Sequence, residues 1–205
     1  MFLKAAIASW MLLWSAATAA ASEITHEGLT FSDEAGGFRL LSVTGLGTLN
    51  DPIVVTEEIT GSQNAVLIVR GFVKEFGNRI GSHHIVAFAM AKVVINRTDK
   101  TWQNFQMELR EVPTRHSPYE DGLSFGQNSQ ISEAYTSSSF PDSQRFDEPE
   151  DTLGFSGAEV PPGGQATFRF IVSDMSPPYK FYLFQEPLQP LSMIDPSGAT
   201  LAAGR

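Results

Sequence analysis

Phe105-Gln106-Met107-Glu108-Leu109-Arg110 alternates apolar and polar side chains strictly, with the apolar ones at the odd positions. Successive side chains of a β-strand point to opposite faces, so this period of two predicts a strand with one buried and one solvated face. Thr167 to Ser173 repeats the alternation through Phe168, Phe170 and Val172. These two stretches decide the fold class, because neither has the three-to-four-residue spacing of an amphipathic helix.

Five further runs have strand character, and turn residues separate them. They are Phe38 to Thr44, Ile53 to Ile59, Ala65 to Arg70, His84 to Asn96 and Lys180 to Gln185. Ala and Met in the fourth run would also suit a buried helix, but its Val-Val-Ile end favours a strand that is apolar on both faces. Strands separated by Gly, Pro and Asn turns predict an antiparallel all-β domain. We expect an immunoglobulin-like sandwich of about eight strands, with a jelly roll or an open barrel as the alternative.

The first 21 residues are typical of a secretory signal peptide. Lys4 precedes an uncharged apolar run and then a series of small residues. We expect cleavage after Ala19 or Ala21, with an uncleaved membrane anchor as the alternative. The remaining sequence predicts a single domain over 22–186 and a flexible tail over 187–205. The protein is therefore expected to be secreted or periplasmic.

Composition and charge exclude several classes of protein. The 205 residues include 14 Lys+Arg and 23 Asp+Glu, a formal net charge of -9, and no cysteine. Domains that bind nucleic acid present a basic surface, so the acidic balance argues against that function and against docking on anionic lipid. The absence of cysteine excludes disulfides, thiolate catalysis and cysteine zinc sites. Packing alone must hold the fold together.

A long polar segment, 114–151, carries the candidate ligand-binding residues. Loops of this length are uncommon in compact domains and are usually functional or disordered. Tyr119, Tyr135 and Phe140 are the candidates, because exposed aromatic side chains on a sandwich stack on sugar rings or seat a protein partner. Inward packing is the alternative that we weigh for the two tyrosines.

The same segment contains an acidic cluster that could hold Ca²⁺. Asp142, Asp147 and Asp151 are the candidate ligands, since Ca²⁺ takes about six to eight oxygen atoms, often from loops. Pro149 interrupts the cluster, and the spacing of a helix–loop–helix calcium site is missing. A solvated acidic loop is the alternative, and no other cofactor is expected.

Gly122-Leu123-Ser124-Phe125-Gly126 matches the G-x-S-x-G pattern of a nucleophile elbow. That motif needs a helix after it and a later acid and histidine, yet all four histidines precede Ser124. We interpret the match as chance and assign no catalytic residue. An enzymatic alternative is a glycan-active hydrolase, whose two carboxylates would come from Glu120, Asp121, Glu133 and Asp142.

Two shorter motifs receive no functional assignment. His83-His84 suggests a metal site, but neighbouring side chains on a strand face opposite ways, so we interpret them as strand-edge histidines. Asn96-Arg97-Thr98 has the pattern of an N-glycosylation acceptor at a turn.

Two stretches resemble a known family of exported bacterial proteins. One runs from a polar turn at Asn96 through Trp102 into Phe105-Gln106-Met107-Glu108-Leu109, and the other places the turn Pro161-Pro162-Gly163-Gly164 before a late strand. Over about residues 96–173 they resemble the ectodomains of PEP-CTERM-sorted proteins. The resemblance implies export and an immunoglobulin-like sandwich without catalytic residues. The sorting signal of that family, an apolar helix followed by a basic end, does not appear at this C-terminus.

These observations predict a non-enzymatic recognition or structural module that binds a protein or a glycan through its loops. The alternatives are the glycan-active hydrolase and a calcium-stabilised structural module. No nucleic acid is expected as a partner, nor any integral membrane segment once the signal is removed.

Overall fold

The computed structural model describes residues 21–61, 63–118, 122–126, 135–146 and 151–188. Almost all of the predicted signal peptide and of the predicted tail lies outside these residues. So do several candidate site residues: Tyr119, Asp147, Glu120, Asp121 and Glu133.

The described residues form twelve β-strands and one short 3-10 turn, Lys74–Phe76. The strands are β1 Glu23–His26, β2 Leu29–Ser32, β3 Phe38–Thr44, β4 Ile53–Ile59, β5 Ala65–Arg70, β6 Val86–Asn96, β7 Asn104–Arg110, β8 Tyr135–Ser137, β9 Asp142–Phe146, β10 Thr152–Ser156, β11 Gln165–Asp174 and β12 Lys180–Leu188. The predicted all-β class is confirmed. The described residues contain no helix that is long and apolar enough to span a bilayer.

The strands form two sheets. The seven-stranded sheet has the order β1-β2-β5-β12-β7-β10-β9, and the five-stranded sheet has the order β3-β4-β6-β11-β8. Apolar side chains from both sheets share one buried core. The fold is therefore sandwich-like.

Two details of the predicted architecture are wrong. The structure has twelve strands where about eight were expected, partly because β8 and β9 lie inside the segment that was predicted as loop. The sheets are also not purely antiparallel, since β4 and β6 run parallel from the pair Ile53 and Met90 to the pair Ile59 and Asn96. The reason lies in the chain path. Between β4 and β6 the chain makes β5 in the other sheet, and two reversals of direction return β6 parallel to β4.

The predicted apolar face of β7 is buried as expected, whereas Glu108 on its polar face is also buried. Phe105, Met107 and Leu109 are fully buried, and Phe105 packs against Phe168 of β11 with ring centroids 4.6 Å apart. Phe155 of β10 lies 4.8 Å from the same Phe168 ring. Aromatic side chains from both sheets thus meet at one point in the core, where each buries a large apolar area.

A buried ion pair lies on the inner face of the five-stranded sheet, between the two sheets. Lys92 of β6 and Glu57 of β4 are both 0% exposed, and the Lys92 ammonium donates a hydrogen bond to Glu57 Oε2. Burial raises the pKa of Glu57 and lowers the pKa of Lys92, while the attraction between the two opposes both shifts. Gln185 of β12 approaches Glu57 from the facing sheet and is also fully buried. This polar group lies where apolar side chains would ordinarily meet.

Asn96, the asparagine of the glycosylation pattern, is a buried structural residue. Its Nδ2 donates to the carbonyl of Lys100 at 2.8 Å and to the carbonyl of Val160 at 2.9 Å. Its Oδ1 accepts a hydrogen bond from the Thr98 amide at 3.0 Å. With 0% of its surface exposed, Asn96 holds the turn after β6 against Val160 in the connection between β10 and β11.

Candidate ligand-binding groove

A groove runs along the outer face of the seven-stranded sheet, where β7, β10 and the edge strand β9 lie side by side. It contains a cavity of about 320 Å³, lined mainly by outward-facing polar side chains of these strands. Gly154 of β10 lies at its centre, paired with Gln106 of β7 on one side and Gln144 of β9 on the other. Two amide side chains therefore flank a position that has no side chain.

The floor of the groove exists because residue 154 is glycine. Gly154 does not have a positive φ, so its backbone conformation would accept other residues. A Cβ built there would lie 3.5 Å from a ring carbon of Phe146, at ordinary contact distance. The glycine therefore leaves space on the sheet face and relieves no backbone strain.

Phe146 forms one wall of the groove. It is 46% exposed, one of the few large apolar side chains in the described residues with such exposure. Its ring lies next to the position that a Cβ of residue 154 would occupy. Part of the same ring is open to solvent. An exposed aromatic ring beside hydrogen-bonding amides is a surface on which the apolar face of a sugar can stack.

A second cavity extends the groove beyond the ends of the strands. It has a volume of about 330 Å³ and shares Asn104 with the first cavity. Gln103 and Glu159 line it, and Gln103 Nε2 donates to Glu159 Oε1 at 3.0 Å. A strand rises about 3.3 Å per residue, so the four residue steps from Phe146 to Asp142 give the first cavity a length of about 13 Å. The two cavities form a trough suited to an elongated ligand, which we call the β9 trough.

The Phe146 end of the β9 trough is bordered by an internally neutralised cluster of charges. Glu108 accepts hydrogen bonds from Arg110 Nε at 2.6 Å and Nη2 at 2.7 Å, and His116 Nδ1 lies 2.6 Å from the same carboxylate. Glu108 is the cross-strand neighbour of Thr152, which in turn pairs with Phe146. The Arg110 and His116 side chains are thus both held on Glu108 at this end.

The structure does not present the two described aromatic candidates, Tyr135 and Phe140, together at one exposed surface. Phe140 is the clear correction, since it is only 1% exposed and stacks on Phe168 with ring centroids 5.9 Å apart. Tyr135 lies on β8 in the other sheet, where it is partly buried against the core. Tyr119 lies outside the described residues. Phe140 stabilises the core and is not available to a ligand.

The two described calcium candidates, Asp142 and Asp151, lie at opposite ends of the β9–β10 pairing. Asp142 is exposed on β9 and lines the β9 trough. Asp151 is 6% exposed, and its Oδ1 lies 3.6 Å from Arg145 Nη2. Asp147 lies outside the described residues, within which no group of three His, Asp or Glu side chains could hold a metal ion. The arginine beside Asp151 makes that carboxylate a poor cation ligand.

Ser124 of the G-x-S-x-G pattern is buried in a short bridge. Its amide donates to the Ser173 carbonyl at 2.9 Å, and the Ser173 amide donates back to the Ser124 carbonyl at 3.0 Å. Ser124 is 0% exposed, so its hydroxyl is not presented to a substrate.

His84 differs from its neighbour His83 in burial. His84 is 8% exposed, whereas His83 is exposed at the surface. Burial, the nearby positive charge of Arg145 and the His83 side chain together lower the pKa of His84 below its ordinary value of 6.5.

This shift predicts a pH dependence of stability. A histidine whose pKa is lower in the folded state binds its proton more readily when unfolded, so stability is full above pH 6.5 and falls as the pH drops through the folded-state pKa. We expect the wild-type protein to lose more unfolding free energy between about pH 7.5 and pH 5 than His84→Gln does in urea titrations. His83→Gln removes only the smallest of the three causes and should retain most of the dependence. Equal losses in wild type and His84→Gln would contradict the prediction.

Apart from Asp142, a candidate calcium ligand, the residues of the β9 trough were not singled out by the sequence pattern. Asn104, Gln106 and Gln144 occupy polar positions of alternating strands, which by themselves indicate only a solvated face. A glycine inside a strand, as at Gly154, is the one signal in the sequence that points to an open place on a sheet.

Comparison with known proteins returns no relative. No family model matches the chain, no curated protein matches it, and no solved structure matches its fold. The resemblance to PEP-CTERM-sorted ectodomains therefore stays a prediction.

Proposed function

We propose that this protein is an exported, non-enzymatic recognition module that binds a glycan in the β9 trough. The observation that supports the proposal most directly is the arrangement around Gly154. A side-chain-free floor lies between Gln106 and Gln144, and the half-exposed ring of Phe146 stands over it. Export is inferred from the sequence of the first 21 residues.

The chemistry of the trough suits sugar hydroxyl groups. Asn and Gln side chains each offer a donor and an acceptor, so they can bind a hydroxyl whichever way it points. The exposed face of Phe146 can pack against the C–H groups of a sugar ring. Binding sites for small ligands commonly combine a concave surface with a few such polar groups.

The proposed site lies on a sheet face, and this refines the original hypothesis of recognition through loops. The site is built on two facing sheets of seven and five strands. This arrangement supports an immunoglobulin-like sandwich as the more specific fold. A glycan-active hydrolase is the alternative; of its four candidate carboxylates, Asp142 lies within the described residues, where it lines the β9 trough.

The test uses substitutions that close or strip the trough. Gly154→Val fills the floor with a residue that favours strands, and Phe146→Ala removes the stacking wall. Screened against soluble neutral oligosaccharides by calorimetry, the wild-type protein is expected to bind at least one of them. Each variant should weaken that binding about tenfold, which corresponds to about 1.4 kcal/mol.

Tyr179→Ala is the matched control. Tyr179 is 66% exposed but does not line the trough, so its removal should leave affinity unchanged. Thermal unfolding should show all three variants folded, since the substitutions lie on the surface. Unchanged affinity in both trough variants, or no binding by any oligosaccharide of the panel, would refute the proposed function.

A further inference from the structure

We propose that the glycan bound in the β9 trough carries protonated amino groups, as oligomers of free glucosamine do. This inference rests on the proposed function and adds the chemical class of the ligand. It follows from the charges along the trough, which are all of one sign in the part of the chain that the structure describes.

Carboxylates stand at the end of the trough away from Phe146. Asp142 lines the first cavity and Glu159 lines the second. Glu186 of β12 is the cross-strand neighbour of Gln106, one strand further from β9. No Lys, Arg or His is among the residues that line either cavity.

These carboxylates are not neutralised by ion pairs within the described residues. Other surface glutamates of this protein do pair with arginine, as Glu27 does with Arg79 at 3.2 Å. On the same sheet face, Arg110 is already paired with Glu108, and His116 contacts the same carboxylate. Arg145 of β9 belongs to the inner side of the strand, where Nη1 donates to the Phe125 carbonyl at 2.8 Å.

An elongated ligand in the trough would therefore meet uncompensated negative charge. Clefts lined by one sign of charge attract ligands of the opposite sign and repel those of the same sign. The formal net charge of -9 acts in the same direction at longer range. Uronic acids and sulfated sugars are disfavoured, whereas an ammonium group gains a carboxylate partner without displacing an existing cation.

The experiment compares two ligands that differ only in the amine. Glucosamine oligomers and N-acetylglucosamine oligomers of equal length are titrated into the mature protein at about pH 6, below the pKa of ~7.7–8.0 that an α-amino group beside a polar substituent has. We expect tighter binding of the free amine, and weaker binding when the salt concentration rises from about 50 mM to about 500 mM, because screening shortens with ionic strength.

The double variant Asp142→Asn/Glu159→Gln tests the carboxylates themselves. It should lose about tenfold in affinity for the glucosamine oligomer, the product of two exposed charge interactions of about two- to fivefold each. Its affinity for the acetylated oligomer should change less than about twofold on the same reasoning. Glu75→Gln removes one acidic charge from the exposed 3-10 turn, away from the trough lining, and should change neither affinity.

The outcomes separate this inference from the proposed function. If both oligomers bind equally and the double variant changes neither affinity, the amine inference is overturned and glycan recognition stands. If neither these oligomers nor any neutral oligosaccharide binds, both are overturned. Thermal unfolding of the double variant confirms that any loss of affinity arises in a folded protein.

Discussion

Replacing Lys92 by methionine is expected to lower the free energy of unfolding by about 3–5 kcal/mol, because the change leaves the Glu57 carboxylate buried without its partner. Both side chains are 0% exposed, so water cannot replace the lost ammonium. The buried Gln185 side chain beside Glu57 carries no charge, so it cannot replace the ammonium either. The loss is measured by urea unfolding at pH 7, with the buried Trp102 as the fluorescence probe.

Removing both members of the pair should cost far less than removing one. Lys92→Met/Glu57→Leu replaces the ions by apolar side chains of similar size, and such replacements are often neutral or stabilising. Arg97→Met is the matched control. Arg97 pairs with Glu58, but its side chain is 52% exposed, so the expected loss is below about 1 kcal/mol. A double variant as unstable as Lys92→Met would show that the cost does not come from an unpaired charge.

The Lys92→Met variant should also depend on pH in a defined direction. Burial raises the pKa of Glu57 above its ordinary value of 4.5 even with Lys92 present. A carboxyl group with a raised folded-state pKa contributes stability below its unfolded value and loses it as the pH rises through the folded pKa. The unfolding free energy that the variant loses relative to wild type should therefore be smallest near pH 4.5 and should increase toward neutral pH.

Phe168→Ala is expected to destabilise the protein by about 3–5 kcal/mol through the cavity it creates. Phe168 is fully buried and contacts three other rings, those of Phe105, Phe155 and Phe140, at 4.6, 4.8 and 5.9 Å. Two of these rings come from strands of the facing seven-stranded sheet and the third from the β8–β9 connection, so the site cannot collapse by moving one strand.

Phe146→Ala provides the comparison within the same residue type. Its ring is 46% exposed and loses little buried area, so we expect a change within about 0.5 kcal/mol. Circular dichroism at increasing denaturant measures both variants. A loss for Phe168→Ala no larger than that for Phe146→Ala would contradict the position of Phe168 at the centre of the core.

The long strands could be predicted from the sequence because each buries an apolar face. The predicted bounds of β3, β4 and β5 agree with the structure at both ends, and β7 differs by a single residue. The two-residue turn of the β1–β2 hairpin was missed. Glu27 and Gly28 both have positive φ there, with values of 53° and 88°, which is typical of a tight hairpin turn.

The short edge strands could not be predicted, since an edge strand buries little and carries little pattern. All residues of β9 except Arg145 are exposed, and nothing in Asp142–Phe146 alternates in hydrophobicity. The candidate site depended on this strand. Exposed aromatic residues were expected in a loop, but Phe140 packs into the core, and the groove is formed by strand residues whose polarity looked unremarkable. The register between the strands places Gln106, Gly154 and Gln144 in one row. That register is set when the strands pair, and the sequence of a single strand does not specify it.

The buried Asn96 has a practical consequence for producing the protein. Its Nδ2 donates both hydrogens to carbonyl groups, so an oligosaccharide transferred to that nitrogen during translocation in a eukaryotic host would replace one of the two donors and could not be accommodated inside the turn. Material secreted from yeast or insect cells should therefore divide into an unmodified fraction that folds and a modified fraction retained by quality control. A bacterial host avoids that division.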